Sequence, residues 1–311
     1  MPPTKTVPIP STSVPTVCAR GCRRQLIAFA LSGLVLTLLF GAFLTDLLRF
    51  AVGSTLYSHI PLIPAVAAWL VWIRREELPS PSAPSLIPAA LSAAVGVALM
   101  AVYVTARVGG RPFGTETGLA LTTGAFVAFI HASAAWLLGR RLHRAALLPL
   151  AFLVFMLPIP AGVMNVVETL LQHGSAAVAR ALFGLSGTSM YYEALTFQLP
   201  GISLQVAPEC SGIHSTLALL MVSLIAGHLF LRSGFRAALL AVAIVPLALL
   251  RNGFRIYVIG ELCIHRGPQM VDSPIHHQGG PLFFSLSLIP FAALLYVLVK
   301  RDRRASASVR A

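Results

Sequence analysis

The chain alternates between long apolar runs and short polar segments, a pattern typical of proteins that cross a membrane several times. Eight apolar runs approach the ~20 residues that an α-helix needs to cross the hydrocarbon core of a bilayer. The runs cover about residues 26–44, 58–73, 86–106, 117–138, 145–162, 213–231, 236–254 and 281–299. We therefore predict an all-α polytopic membrane protein with about eight transmembrane helices.

Two segments between the fifth and sixth runs predict other structure. Residues 163–185 carry apolar side chains near helical spacing, which predicts a small amphipathic helix on the extracytoplasmic surface. Residues 194–206 alternate around Pro200-Gly201, which predicts a small β-hairpin. We expect this hairpin to deliver the chain to the segment that begins at Pro208.

The distribution of basic residues predicts the orientation of the chain. Sixteen of the 23 Lys and Arg residues fall in segments that are cytoplasmic if the N-terminus is inside. By the positive-inside rule, both termini are then cytoplasmic, and the segments 163–212 and 256–280 are extracytoplasmic. The formal net charge of +13 comes from short clusters at the ends of apolar runs. Without a basic stripe and interleaved aromatic residues, we expect no nucleic-acid partner.

Composition agrees with a multi-pass protein of the cytoplasmic membrane. Hydrophobic residues make up 57% of the chain and charged residues 11%, whereas a soluble domain carries about 25% charged residues. Residues 1–25 are predicted to be a disordered cytoplasmic tail. Residues 26–300 are predicted to form a single integral-membrane domain, and residues 301–311 a basic cytoplasmic tail.

The four cysteines, Cys18, Cys22, Cys210 and Cys263, are too few for a disulfide scaffold. Cys210 stands just before the sixth run, near the first turn of a helix, where unpaired N–H groups favour a thiolate. It is either a nucleophile or a small residue in a tight turn. A disulfide between Cys210 and Cys263 would silence such a nucleophile. We expect no metal site and no cofactor.

Two further segments carry candidate chemistry on the same predicted membrane face. Arg251 and Arg255 are four residues apart, on one helical face at the end of the seventh run. They either face a polar interior or snorkel to the headgroups as interfacial anchors. His276 and His277 precede the last run, where a histidine can act as a general acid or base. The alternative is a polar outer loop or a weak metal site.

A cysteine, an arginine and a histidine on one membrane face provide the functional groups that acyl transfer through a thioester requires. Cysteine attacks a carbonyl, histidine moves protons, and arginine stabilises the developing oxyanion. Two other functions compete with this hypothesis. A membrane transporter should show charges near mid-span and repeated halves, and no repeat is visible. A lipid-modifying hydrolase would use the same Cys and His.

These motifs resemble the exosortase/archaeosortase family of polytopic membrane cysteine transpeptidases. The matching residues are Glu209-Cys210-Ser211-Gly212-Ile213, Asn252 with Arg255-Ile256, and His276 followed by Gly280 and Phe283-Phe284. The resemblance covers about residues 26–300, and its specific motifs lie in the last third of the chain.

The resemblance implies a role for each residue and a class of substrate. Cys210 is the expected nucleophile, His276 the acid/base, with His277 as its rival, and Arg255 the electrostatic stabiliser. The residues expected to line the site as binding residues are Arg251, His277, Glu209, Ser211 and Gly212. The expected partners are the lipid bilayer, an acceptor nucleophile, and exported proteins with a C-terminal sorting signal. Such a signal consists of a short motif, a hydrophobic helix and a basic tail.

Overall fold

The computed structural model describes residues 16–207, 211–272 and 280–308, and the chain divides into two compact units, Met1–Ile159 and Pro160–Ala311. The helices of the N-terminal unit are α1 (Thr16–Leu39), α2 (Gly41–Val52), α3 (Ile63–Ile73), α4 (Leu86–Val108), α5 (Thr115–Leu137), α6 (Gly139–Ala145) and α7 (Leu147–Ala151). The elements of the C-terminal unit are α8 (Ala161–Ser186), β1 (Tyr191–Glu193), β2 (Thr196–Leu199), β3 (Ile202–Gln205), α9 (Ile213–Phe230), α10 (Gly234–Val242), α11 (Ile244–Arg266) and α12 (Gly280–Ser308). Short 3-10 turns lie at Ile60–Leu62, Phe152–Met156 and Pro268–Asp272.

The helices confirm the predicted all-α polytopic class. Within residues 16–207, 211–272 and 280–308, five helices are long and apolar enough to cross a membrane, and counting two bent pairs as single spans gives seven. One bent pair is α1 and α2, which meet at an angle of 74°. The count of eight stays a prediction. The regular helices also extend into the predicted tails, because α1 begins at Thr16 and α12 continues to Ser308.

The core of the N-terminal unit is built around α5. This helix has no separate polar face and most of it is buried, as expected for a helix that is surrounded by neighbours. Ala125, Phe126 and Ile130 of α5 are buried, and the Phe126 ring lies 5.8 Å from the ring of Phe40. Helix α4 packs closely on α5 at Gly96, where a Cβ atom would lie 3.1 Å from the ring of a phenylalanine on α5.

Two of the predicted spans are short helical pieces instead. The run 58–73 forms a 3-10 turn and the 11-residue helix α3, and the run 145–162 forms α7 and a second 3-10 turn. Proline explains the interruptions, because it lacks the N–H that a continuous helix uses. The Tyr57 hydroxyl joins the two segments, since it donates to the Ile159 carbonyl at 3.3 Å and accepts from the Ile159 N–H at 3.2 Å.

The predicted helix over residues 163–185 is present as α8, and its buried stripe packs against α11. Glycines on α11 permit this close approach. A Cβ atom at Gly253 would lie 2.5 Å from Cβ of Val178, and one at Gly260 would lie 2.5 Å from the Phe183 ring. The side chain of Ala179 is fully buried in the same interface. The contact with α11 accounts for the buried stripe of α8, whereas the apolar side chains of Val163, Val166 and Leu170 are exposed.

The predicted hairpin is confirmed as β2 and β3. The two strands are antiparallel, and Leu199 lies opposite Ile202 across a turn in which Gly201 has a φ of +81°. Strand β1, which was not predicted, pairs with β2 and completes a three-stranded sheet. Phe197 on β2 is fully buried, so the sheet is part of the core of the C-terminal unit.

The predicted end of the seventh span near residue 254 is wrong, because α11 continues to Arg266. Most residues after Phe254 are apolar. The polar residues among them lower the mean hydropathy of this segment, but they do not interrupt the helix. Arg251 and Arg255 therefore lie within α11 and not at its end.

Candidate active site

The turn that begins α9 contains Ser211 and Gly212. Gly212 has a φ of +74°, in the left-handed region that favours glycine. A Cβ atom at Gly212 would lie 3.2 Å from Nη2 of Arg251 and 3.2 Å from Cγ of Asn252. The backbone conformation therefore favours glycine at this position, and the neighbouring side chains leave little room for a Cβ atom.

Arg251 binds this turn directly. Its Nη2 donates to the Gly212 carbonyl at 3.2 Å and lies 3.5 Å from Oγ1 of Thr216. The side chain is only 8% exposed, and in the described part of the chain it forms no ion pair with a carboxylate. The alternative of a snorkelling anchor is therefore wrong for Arg251. Its Nη1 is buried and has no hydrogen-bond partner among the described residues, so the guanidinium keeps a donor for another group.

The Gly212 carbonyl collects several further donors from the first turn of α9. It accepts from the Thr216 N–H at 3.0 Å, from the Thr216 hydroxyl at 2.8 Å and from the Ser215 hydroxyl at 3.0 Å. With the guanidinium of Arg251, four donors surround one carbonyl oxygen. The geometry of this turn is consequently tied to both α9 and α11.

Arg255 lies one turn after Arg251 and is half-buried. Together with Asn252, it lines a small cavity of about 20 Å³, whose other wall includes Gln205 and Val206 at the end of β3. A cavity of this size has room for roughly one water molecule. Arg255 is thus next to the segment that leads from the sheet towards residue 208.

Gln172 holds the end of β3, and it was not among the predicted site residues. Nε2 of Gln172 donates to the Val206 carbonyl at 3.2 Å, and the Val206 N–H donates to the Leu195 carbonyl at 2.9 Å. Gln172 is buried on α8. The sequence does mark Gln172, because it is a polar residue directly after Leu171 within the apolar stripe of residues 163–185.

Comparison with known proteins identifies the family of this chain. Residues 52–293 match the family model described as transmembrane exosortase. The chain belongs to the transmembrane exosortase family. No curated protein and no solved structure matches the chain at a significant level. This exosortase is therefore a multi-pass membrane protein of a family of sorting-related membrane enzymes, which confirms the family that the motifs indicated.

The structure of the exosortase brings part of the predicted site together. Arg251 contacts Gly212, and Arg255 lies beside the end of β3. The predicted residues Glu209, Cys210, His276 and His277 lie outside the described residues. Cys263 is buried and has no disulfide partner among the described residues. The alternative of a disulfide between Cys210 and Cys263 stays open, because Cys210 lies outside the described residues.

Proposed function

We propose that this exosortase is a membrane cysteine transpeptidase. It cleaves the C-terminal sorting signals of exported proteins through a thioester on Cys210 and transfers the acyl group to an acceptor. The observation that carries this proposal is the way in which the chain is held on both sides of Cys210. Gln172 binds Val206 before it, and Arg251 binds Gly212 after it. A catalytic nucleophile needs neighbouring backbone that is held in place, because a small displacement of the nucleophile lowers the rate by a large factor.

The first half of the proposed reaction forms the thioester. The Cys210 thiolate attacks the carbonyl carbon of the scissile peptide bond, and the carbonyl oxygen becomes a tetrahedral oxyanion. When this intermediate collapses, the C–N bond breaks and His276 gives a proton to the leaving amine. The C-terminal helix and basic tail of the substrate then leave as a peptide with a free amine. The rest of the substrate stays on Cys210 as an acyl thioester.

The second half transfers the acyl group. A nucleophilic group of the acceptor attacks the thioester carbon and loses its proton to the histidine that is now a base. Collapse of this second tetrahedral intermediate breaks the C–S bond and restores the thiolate. We assign the base to His276 and keep His277 as the alternative.

In both halves, Arg255 stabilises the oxyanion. It is a half-buried cation on the rigid helix α11 and lines the cavity at the end of β3. A fixed donor in such a position stabilises the charge that develops in the transition state more than the ground state. Arg251 acts as a positioning residue, because its hydrogen bond holds the turn that follows Cys210.

Family membership supports exported proteins as substrates and favours a sorting enzyme over the rival transporter. A lipid-modifying hydrolase with the same Cys and His is distinguished by its substrate. The test is cleavage of a tagged exported protein with a motif-helix-basic C-terminus, measured in membranes and normalised to enzyme abundance. Hydroxylamine, which attacks thioesters, should release the tagged protein as a hydroxamate.

Cys210→Ala should abolish both cleavage and hydroxamate formation at unchanged enzyme abundance. Cys22→Ala and Cys263→Ala are the matched controls and should keep both. Continued cleavage by Cys210→Ala would overturn the mechanism. Release of fatty acid from phospholipid by the native protein, without cleavage of the tagged protein, would favour the lipid-modifying hydrolase instead.

A further inference from the structure

The N-terminal unit contains an open cavity that has no part in the proposed reaction. It lies between the start of α4 and the helices α6 and α7, and its volume is about 920 Å³. Small-ligand sites typically measure about 300–1,000 Å³. Arg140, Arg141 and Arg144 line it together with His143. The basic residues of this segment are predicted to be cytoplasmic, on the face opposite to the candidate active site.

The wall of the cavity is a fixed structure. The chain before α4 is hydrogen-bonded to the end of α5, since the Ser82 N–H donates to the Leu138 carbonyl at 3.1 Å. The backbone N–H of Arg141 donates to the Ser82 hydroxyl at 3.2 Å. Gly139 has a φ of +74°, and a Cβ atom there would lie 2.3 Å from the Ser82 carbonyl oxygen. The arginines are therefore presented on a backbone that is tied to the start of α4.

His143 is a buried titratable residue in the wall of the cavity. Its side chain is 8% exposed and lines the cavity, and its Nε2 is buried without a hydrogen-bond partner in the described chain. A buried polar atom is normally hydrogen-bonded. Burial lowers the pKa of His143, and the neighbouring His131 lowers that pKa further. A bound anion in the cavity would oppose both effects on this pKa.

The charge of the cavity is positive and uncompensated. The side chains of Arg140, Arg141 and Arg144 are exposed, and none of them forms an ion pair with a described carboxylate. No acidic residue is among the described residues that line the cavity. Arginine is well suited to phosphate, because its planar fork donates two parallel hydrogen bonds.

The remaining wall is apolar and indicates which phosphate fits. Leu86, Ile87 and Leu91 at the start of α4 line the cavity and are exposed, as is Leu147 on α7. This exposed apolar face continues along α4, a helix long enough to cross the bilayer. Basic pockets between helices at the cytoplasmic surface bind lipid headgroups. We infer that the cavity binds one anionic phospholipid, with the phosphate on the three arginines and His143 and the acyl chains along α4.

Binding of defined lipids to the purified full-length protein tests this inference. Phosphatidylglycerol and phosphatidylcholine are each titrated into delipidated protein in detergent, and retained lipid is counted by native mass spectrometry. Inorganic phosphate is added in a separate arm. We expect the protein to retain one phosphatidylglycerol in preference to phosphatidylcholine, and we expect phosphate alone to bind far more weakly.

The triple variant R140Q/R141Q/R144Q should bind phosphatidylglycerol roughly 100-fold more weakly, because each arginine near an anionic headgroup is worth about fivefold. The matched control is R301Q/R303Q/R304Q, which removes three arginines near the end of α12 and should keep the affinity. His143→Leu should lower the affinity by several-fold. Size-exclusion profiles report whether each variant is folded.

Four outcomes would overturn the inference. Equal losses in the two triple variants would mean that binding follows total charge and not this cavity. Equal retention of phosphatidylcholine and phosphatidylglycerol would show that the arginines do not select an anionic headgroup. Binding of inorganic phosphate as strong as that of phosphatidylglycerol would identify an ion site without a lipid. A photoactivatable phosphatidylglycerol that labels residues outside 82–91 and 139–147 would also contradict it.

Discussion

At the scale of single residues, the structure separates two arginines that the sequence makes look equivalent. Arg251 and Arg255 are one turn apart on α11. Arg251 is buried and donates to the Gly212 carbonyl, whereas Arg255 is half-buried and lines the cavity beside β3. We therefore propose different roles for them, with Arg251 as a positioning residue and Arg255 as the oxyanion donor.

Substitution of Arg255 should lower the rate. Loss of one oxyanion donor commonly costs about 10²–10³ in rate, so we expect Arg255→Ala to lose activity by that factor while the protein still shows cooperative unfolding. Arg255→Lys keeps the charge but not the planar fork and should recover only part of the rate. The measurement is substrate cleavage in membranes together with thermal unfolding of the purified variant.

Arg251→Ala is the matched comparison, and it should lower both activity and melting temperature. It removes a buried donor to Gly212 and leaves a space between α9 and α11, and losses of this kind cost about 1–3 kcal/mol. Near-normal turnover in Arg255→Ala would show that this arginine is not the oxyanion donor. A melting temperature that is unchanged in Arg251→Ala would contradict the positioning role.

At the scale of elements, the C-terminal unit depends on the close approach of α8 and α11. Gly253 allows the approach, because a Cβ atom there would lie 2.5 Å from Cβ of Val178 and 2.8 Å from the Ser175 carbonyl oxygen. The same two helices carry Gln172 and Arg251, the side chains that hold the chain on either side of Cys210. The spacing of α8 and α11 should therefore influence both stability and activity.

Gly253→Ala should destabilise the protein by about 1–3 kcal/mol, the usual cost of extra volume in a well-packed interface. The control is Gly184→Ala, also in a helix, where a Cβ atom would meet nothing within 4 Å. Alanine is about 1 kcal/mol better than glycine in a helix, so the control should be neutral or slightly stabilising. Thermal unfolding in detergent and enzyme abundance in membranes are the measurements. A loss of similar size in both variants would exclude a steric cause.

At the scale of the whole molecule, the two compact units share one chain whose orientation is predicted from its charges. Sixteen of 23 basic residues fall on the predicted inner side. Five of the described helices meet the length and composition of membrane spans, and two bent helix pairs raise the number of spans to seven. The predicted orientation makes residues 163–212 extracytoplasmic and the arginines of α6 cytoplasmic.

Reporter fusions test this orientation directly. A fusion after residue 190 should report the extracytoplasmic side, and one after residue 311 the cytoplasmic side, because the positive-inside rule favours this arrangement. Both fusions use the same reporter, so each serves as the control for the other. Two signals from the same side would contradict the prediction that Cys210 lies at the extracytoplasmic face.

The sequence by itself determined the features that depend on local pattern. Apolar runs of sufficient length predicted the long helices α4, α5, α9 and α12. Pro200-Gly201 predicted the turn between β2 and β3, because glycine adopts the positive φ that the turn requires. The motifs around Cys210 and Arg255 indicated the family without any contact being known.

Strand β1 shows the limit of local signals. It is joined to β2 by a turn in which Ala194 and Leu195 have φ values of +46° and +65°. Neither residue type is typical of such a turn, so the sequence carried no hairpin signal there. The pairing of β1 with β2 and the burial of Phe197 support this conformation instead.

The tertiary structure decided which polar groups act together. Gln172 and Val206 are 34 residues apart, and Gly212 and Arg251 are 39 residues apart. No periodicity within one segment encodes such a pair, because the contact exists only when α8, α9 and α11 pack side by side. The same packing buried Arg251 within the protein. The role of a charged side chain is not determined by its spacing from another charge four residues away on the same helix. It depends on the side chains that other helices place around it.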